Sequence, residues 1–240
     1  MSRLRIGTAG WAIPRQVADG FPADGSGLQR YAARFDAAEI NSTFYRSHRP
    51  QTLLRWREAT PADFAFALKL SRAVTHEAKL VGAEGALESA IAEARLLGDK
   101  LGPLLVQLPP SQAFEPAVAG RFFDAVRARF AGVVVCEPRH PSWFEPAADA
   151  LLNAARVARA AADPARHAAA GEPGGWPGLA YWRLHGAPRM YFSSYGEAAL
   201  RALARSLTAH PAPEVWCIFD NTASGAAAAD ALRLQALVGP

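Results

Sequence analysis

Short apolar runs bounded by Gly, Pro or a polar residue recur roughly every 25 to 40 residues along the chain, the rhythm of strands alternating with helices. They predict strands at 4–7, 37–43, 64–70, 104–108, 133–137, 157–161, 179–184 and 215–219. The run at 157–161 is the weakest, because Ala and Arg are poor strand formers. Between the runs, apolar residues repeat at helical spacing. Leu87, Ile91, Ala94 and Leu97 share a face of 84–97, and Val118, Phe122, Val126 and Phe130 share a face of 117–130. Further helices are expected at 26–34, 49–58, 146–155, 197–209 and 223–237, with Pro50 in a favoured first-turn position.

Eight strands alternating with helices over 240 residues predict an α/β protein, a (β/α)8 TIM barrel in a single domain over 1–240, for which about 250 residues is usual. A doubly wound open sheet is the alternative. It ordinarily opens on a GxGxxG phosphate loop, and GTAGW at 7–11 lacks the third glycine. No Gly/Ser linker divides the chain; its loosest stretch, GEPGGWPG at 171–178, falls inside the series.

Successive side chains of a strand point to opposite faces, and in a barrel one face lines the interior. That parity groups Ala37, Glu39, Asn41 and Thr43; Ala65, Ala67 and Lys69; Leu105 and Gln107; Val133, Val135 and Glu137; Arg159, Ala161 and Asp163; Tyr181, Arg183 and His185; and Trp216, Ile218 and Asp220, with Asn221 next in line. Each group ends in a polar residue at the C-terminal end of its strand, where barrel enzymes build their sites. Buried charges are costly unless paired or used, so this convergence is read as a ligand or catalytic pocket. The bland alternative is that the charges pair among themselves.

Composition changes this picture little. At 50% hydrophobic and 10% aromatic, the chain is too apolar for intrinsic disorder. The net charge of +4, from 26 basic against 22 acidic residues, comes without a polybasic block. Cys136 and Cys217 lie in apolar runs and are expected to be buried free thiols of a reducing compartment. No run is long enough for a membrane span or a secretory signal. A cytoplasmic protein with no membrane partner is therefore expected.

The segment EPRHPSWF at 137–144 places Glu137, Arg139, His140 and two aromatics just past a strand, stiffened by Pro138 and Pro141. It suits a planar anionic substrate, with Arg139 on a carboxylate or phosphate and Trp143 stacking or, equally, packing on the next helix. Glu39 supplies a second carboxylate beside Tyr45, and the pair Glu39 and Glu137 could flank a glycosidic bond. Arg183 and His185 precede Gly186, which allows a sharp turn. His76 and His140 are further loop candidates. Glu137, Asp163, His185 and Asp220 could together ligate a divalent ion, although no HxH or HExxH supports this. No other cofactor is expected.

At these residues the chain resembles the YecE-like proteins, a bacterial and archaeal family of unknown function. The resemblance spans nearly the whole chain. It rests on GTAGW at 7–11, EINSTFYR at 39–46, FALKLSRAVTHEAKL at 66–80, LLVQLPPSQAF at 104–114, EPRHPSW at 137–143, RLHG at 183–186 and FDNTASGAAAADA at 219–231. It implies a TIM barrel and supplies no reaction. Where the family usually has two asparagines, this chain has Asp220–Asn221, which favours a hydrogen-bonding role for Asp220 over metal ligation. The barrel is similar in kind to the endonuclease-IV and xylose-isomerase-like group, which suggests phosphodiester or sugar substrates by fold analogy alone.

The leading expectation is a hydrolase-type enzyme acting on a small anionic substrate, phosphorylated or nucleic-acid-derived. Lys69, Arg139 and Arg183 would bind the anion, with Asn41, Gln107, Asp163, Asp220 and Asn221 lining the pocket. Glu137 or Glu39 would serve as acid or base, His185 or His140 as proton carrier, and Trp11, Tyr45 and Trp143 as stacking surfaces. Non-catalytic nucleic-acid binding and carbohydrate processing by Glu39 and Glu137 are the alternatives.

Overall fold

Every expected strand forms, and the sheet they build closes on itself. The computed structural model describes residues 2–239. Its strands are β1 (Arg3–Ala9), β2 (Ala37–Ile40), β3 (Ala65–Lys69), β4 (Leu101–Gln107), β5 (Val134–Glu137), β6 (Val157–Arg159), β7 (Ala161–Asp163), β8 (Gly174–Gly175), β9 (Ala180–Leu184) and β10 (Glu214–Phe219). They hydrogen-bond in the order β7-β9-β10-β1-β2-β3-β4-β5-β6-β8. β7, at one end of this order, and β6, next to last at the other, are separated only by Ala160. One chain segment therefore pairs with β5 through its first half and with β9 through its second. The result is a (β/α)8 barrel whose sixth strand is split.

The helices are α1 (Gly27–Ala32), α2 (Pro50–Glu58), α3 (Glu84–Arg95), α4 (Pro116–Arg129), α5 (Pro146–Ala154), α6 (Glu197–Ala209) and α7 (Ala226–Val238). Ser26 caps α1 in a reciprocal box with Gln29, and prolines open α2, α4 and α5. Among the described residues no α-helix lies between β7 and β9. A 3-10 turn (Ala168–Gly171) and β8, antiparallel to β6, cover that side instead. Arg159 pins them: its Nε lies 3.0 Å from Asp149 Oδ1, and its Nη1 donates to the Ala169 and Glu172 carbonyls at 2.9 and 3.2 Å. Among the described residues, no helix is long and apolar enough to cross a membrane.

Two apolar layers follow from strand parity. Ile6, Leu68, Val106, Cys136, Trp182 and Cys217 face the helices. Ala37, Ala65, Ala67, Leu105, Val135, Ala158, Ala160, Tyr181, Trp216 and Ile218 fill the barrel. Small and large residues complement one another inside. The Tyr181 and Trp216 rings, stacked at 6.1 Å and 15°, occupy the space that the alanines leave. Gly102 is required below them, because a Cβ there would lie 2.8 Å from the Trp216 ring. Arg5 closes the N-terminal end, 5.6 Å over Trp216 and paired with Glu214 and Asp36 at 3.2 and 3.5 Å. Cys136 and Cys217 are free and buried, and burial pushes both thiols up.

The expected grouping of Arg159, Ala161 and Asp163 on one face holds, but that face is the outer one. Ala161 packs in the helix-facing layer with Trp182 and Leu184, while Ala158 and Ala160 line the interior. Alternation decides which residues go together and not which side faces in. On an alanine-rich strand no bulky residue settles the matter.

Candidate functional site

One step along the strands from the Tyr181–Trp216 layer, the barrel interior turns polar. Five strands each carry one charge or amide into the same cross-section: Glu39 from β2, Lys69 from β3, Gln107 from β4, Glu137 from β5 and Arg183 from β9. His185 and Asp220 follow immediately after β9 and β10. Glu39, Glu137 and Arg183 are all 0% exposed.

Arg183 is the hub. Its Nε and Nη2 grip Glu39 in a bidentate pair at 3.0 and 2.7 Å. Its Nη1 donates to Glu137 Oε2 at 3.1 Å, and its Nη2 lies 3.0 Å from Asp220 Oδ2. Glu137 also accepts Gln107 Nε2 at 3.1 Å on both oxygens and Arg139 Nη2 at 3.2 Å. His185 bridges the remaining carboxylates, with Nε2 3.0 Å from Glu137 and Nδ1 3.0 Å from Asp220. Tyr181 donates to Glu39 Oε2 at 3.1 Å.

This pairing fixes the charge states. Burial opposes ionisation of Glu137, but Arg183, His185 and Arg139 hold its carboxyl well below the usual range. Burial likewise opposes the Asp220 charge and is outweighed by Arg183 and His185. For His185, burial disfavours the imidazolium, but the Glu137 charge and the bonds to both carboxylates push the ring up. Both ring nitrogens are then engaged as donors.

Lys69 is different. It is 5% exposed, and its Nζ has no hydrogen-bonding or carboxylate partner among the described residues; it sits 4.1 Å over the Phe44 ring. Burial, with the Arg183 charge behind it, lowers its pKa to about 8 against the partial pull of Glu39, Glu137 and Asp220. Asn41, just past β2, has a buried Oδ1 that is also without a partner. His76 packs edge-on against the same Phe44 ring at 4.9 Å. Burial, then Lys69, Arg139 and Arg72, lower its pKa and keep its ring neutral. A small recess of about 20 Å³ opens beside Glu137 and His185, lined by Arg139, Phe144, Arg166 and Met190 among others.

The structure thus brings together Glu39, Lys69, Gln107, Glu137, Arg139, Arg183, His185 and Asp220, while the Asn41 side chain makes no hydrogen bond with them. Others fall elsewhere. Asp163 points outward beside Leu184 and takes no part, so the four-residue metal set does not assemble. Among the described residues, no three His, Cys, Asp or Glu are arranged to hold a metal ion. Asn221 is 0% exposed and turned toward α7, where its Nδ2 donates to Asp230 at 2.7 Å and to the Ser193 carbonyl at 2.9 Å. It ties the loop after β9 to α7 because the chain bends immediately past β10 and strand parity ends there. Trp143 is buried edge-on against Phe114, with its Nε1 donating to the Gln112 carbonyl at 2.9 Å. Trp11 packs on Trp56 and Phe66 in the outer layer. His140 caps the 3-10 turn Pro141–Phe144 through Ser142. Tyr45 is exposed on the rim.

Sequence reasoning missed Tyr191, whose ring stands edge-on to His185 at 5.6 Å with its hydroxyl beside Arg139. Its signal was an aromatic in the Pro-containing loop directly after the β9 site residues.

Comparison with known proteins agrees with the barrel fold. A 144-residue stretch is 31% identical to the UPF0759 protein YecE of Escherichia coli K12, covering 59% of this chain and 50% of that one; the chain spans about half the length of the curated relatives it matches. A DUF72 family protein of Thermotoga maritima MSB8 superimposes with a TM-score of 0.79 at 23% identity, over 97% of each chain. One of Enterococcus faecalis V583 does so at 0.79 and 19% identity, over 98% of this chain and 95% of that one. The 3-keto-D-glucoside 4-epimerase YcjR of Escherichia coli shares the barrel at a TM-score of 0.53 and 12% identity, over 99% of each chain. Residues 5–240 match the family described as "Protein of unknown function DUF72", and the chain belongs to that family.

Proposed function

We propose that the barrel mouth binds the anionic group of a small substrate and that the protein is an enzyme whose proton-transfer groups are Lys69 and His76. One observation carries this reading: Lys69 is a largely buried lysine left without an anion, in a site where the carboxylates and the other interior cations are paired. A buried charge without a counter-ion is costly, and an incoming carboxylate or phosphate relieves that cost. Arg139, half-buried and close enough to act on the same His76 ring as Lys69, supplies a further cationic contact.

The saturated carboxylates shift the chemistry away from Glu39 and Glu137. Their oxygens accept from Arg183, Arg139, Gln107, His185 and Tyr181, so neither has a free, proton-hungry lone pair. They position Arg183 and His185 instead. A hydrolytic step on a phosphorylated or nucleic-acid-derived substrate would take its base from the neutral His76 or from Lys69. The glycosidase reading loses its geometry, since Arg183 occupies the space between the two carboxylates where a sugar would lie. Nucleic-acid binding keeps one favourable feature, the exposed Tyr45 and Phe192 with Arg189 4.0 Å over the latter ring. It predicts affinity that falls steeply with salt.

Titration calorimetry with inorganic phosphate and with simple carboxylates tests the reading. Binding should weaken about tenfold or more in Lys69→Met and in Arg139→Gln, and should fade as pH rises through about 8, where Lys69 loses its charge. That titration occurs in the field of Glu39, Glu137, Asp220, Arg139, Arg183, His185 and His76, of which Arg183, Glu39, Glu137 and Asp220 act most strongly. Equal phosphate affinity in wild type and Lys69→Met would overturn it.

A further inference from the structure

A primary amine in a sheltered mouth has a second capability besides holding an anion: it is a nucleophile once its proton is lost. A lysine kept for charge alone is normally anchored by a carboxylate. Here the neighbouring acids are withheld from it. Glu39, Glu137 and Asp220 are taken up by Arg183, Arg139, Gln107, His185 and Tyr181. An aromatic ring, Phe44, lies under the amine in place of an acceptor. The chain has only three lysines, Lys69, Lys79 and Lys100, and the other two contrast with it. Lys79 is exposed. Lys100 donates to the Arg57 and Thr60 carbonyls and to the Thr60 hydroxyl. Lys69 alone is both sheltered and untethered.

We propose that Lys69 acts covalently, its Nζ adding to the carbonyl carbon of a small 2-oxo acid or carbonyl phosphate to form an imine. The proposal rests on the anion-binding reading above and names its substrate class. Lys69 and Arg139 both act on the His76 ring, so a ligand whose carbonyl reaches Lys69 can present its anionic group to Arg139.

The step balances without a redox partner. The amine lone pair forms the N–C bond while the C=O π pair moves onto oxygen. A proton passes from nitrogen to that oxygen and gives a carbinolamine. With one further proton from solvent the hydroxyl departs as water, leaving the protonated imine. Hydrolysis reverses each bond change. The proton of the ammonium leaves to solvent before attack, and His76, whose neutral ring lies within the field of Lys69, is the group placed to relay it. The lowered Lys69 pKa of about 8 supports the same role, because each unit of depression raises the neutral fraction about tenfold near neutral pH.

Reductive trapping tests it. The intact protein is incubated at pH 8 with pyruvate, or with dihydroxyacetone phosphate, and cyanoborohydride, then mapped by peptide mass spectrometry. One adduct per chain is expected, on Lys69, forming about tenfold or more faster than on Lys79 or Lys100. Inorganic phosphate should suppress it, uncharged acetone should label far more slowly, and Lys69→Arg should abolish it. No adduct with either probe, or even labelling of the three lysines, overturns the proposal, and both outcomes are read on the wild-type chain without any variant. Phosphate calorimetry on the same sample separates the two readings. Phosphate binding without trapping refutes the imine and leaves the anion site standing; loss of both refutes both.

Discussion

Replacing Arg183 by leucine removes the one cation that touches all three carboxylates of the barrel interior, Glu39, Glu137 and Asp220. Glu39 and Glu137 are 0% exposed and Asp220 4%, so none can turn to water. Breaking a buried ion pair from one side costs about 3–5 kcal/mol. Proton uptake gives an independent ceiling: neutralising one glutamate at pH 7.5, roughly three units above its unfolded value, costs about 4 kcal/mol. At pH 5 the same uptake costs only about 1 kcal/mol. The sign follows from linkage. In the wild type, Glu137 and Asp220 have depressed folded values, so their contribution is fully present above about pH 4 and is lost only in stronger acid. The His185 contribution, with a raised folded value, is complete below about pH 6.5 and declines as pH rises through that folded value. In Arg183→Leu the carboxylates are pushed above their unfolded values, and the variant recovers as pH falls toward 5. Urea unfolding at pH 7.5 should show a deficit of about 3–5 kcal/mol, or roughly 6–20 °C in melting temperature for a chain of this size. At pH 5 the deficit should shrink to about 1–2 kcal/mol. A loss below about 1 kcal/mol at pH 7.5, or one unchanged between the two pH values, would refute the view that Arg183 holds these three charges in place.

Two further substitutions separate packing from binding. Lys69→Met should raise stability near neutrality by about 1–3 kcal/mol, since the ammonium is buried with its pKa lowered from 10.5 to about 8. That penalty is constant below pH 8 and is relieved as pH climbs toward 10.5, so the two proteins' denaturation midpoints should converge in alkali; a Lys69→Met protein less stable than wild type at pH 7 would contradict this. Trp143→Phe should cost about 1–3 kcal/mol through the lost bond to the Gln112 carbonyl. Its phosphate affinity should stay at the wild-type value, and a drop measured by calorimetry would return Trp143 to the binding surface.

How far the sequence was legible depended on where each residue sits relative to a strand. Within strands, alternation placed Glu39, Lys69, Gln107, Glu137 and Arg183 in one interior cross-section, because bulky partners such as Phe64, Phe66 and Leu68 settle which face packs on helices. It failed at Asp163, where Ala158, Ala160 and Ala161 give neither face a volume advantage. Beyond a strand end the rule has no force. Asn221 turns to Asp230, Trp143 sinks beneath Phe114, and Tyr191 arrives at His185 by a loop whose path no periodicity encodes. Proximity was readable and partnership only in part: the alternative that the charges pair among themselves holds for Arg183 with Asp220 and fails for Lys69 with a glutamate. The pattern showed that carboxylates and cations meet, but only coordinates show that Arg183 consumes the acids and leaves Lys69 without one.

The split sixth strand gives the barrel a seam. Three residues on one side of Ala160 fasten to β5, and three on the other fasten to β9, with a short turn and a two-residue strand standing guard where the other strands have a helix. A hoop joined at one short clasp is either whole or sprung. Detaching that segment would free both rims together and leave Glu137 and Arg183, anchored on opposite sides of the join, to drift apart.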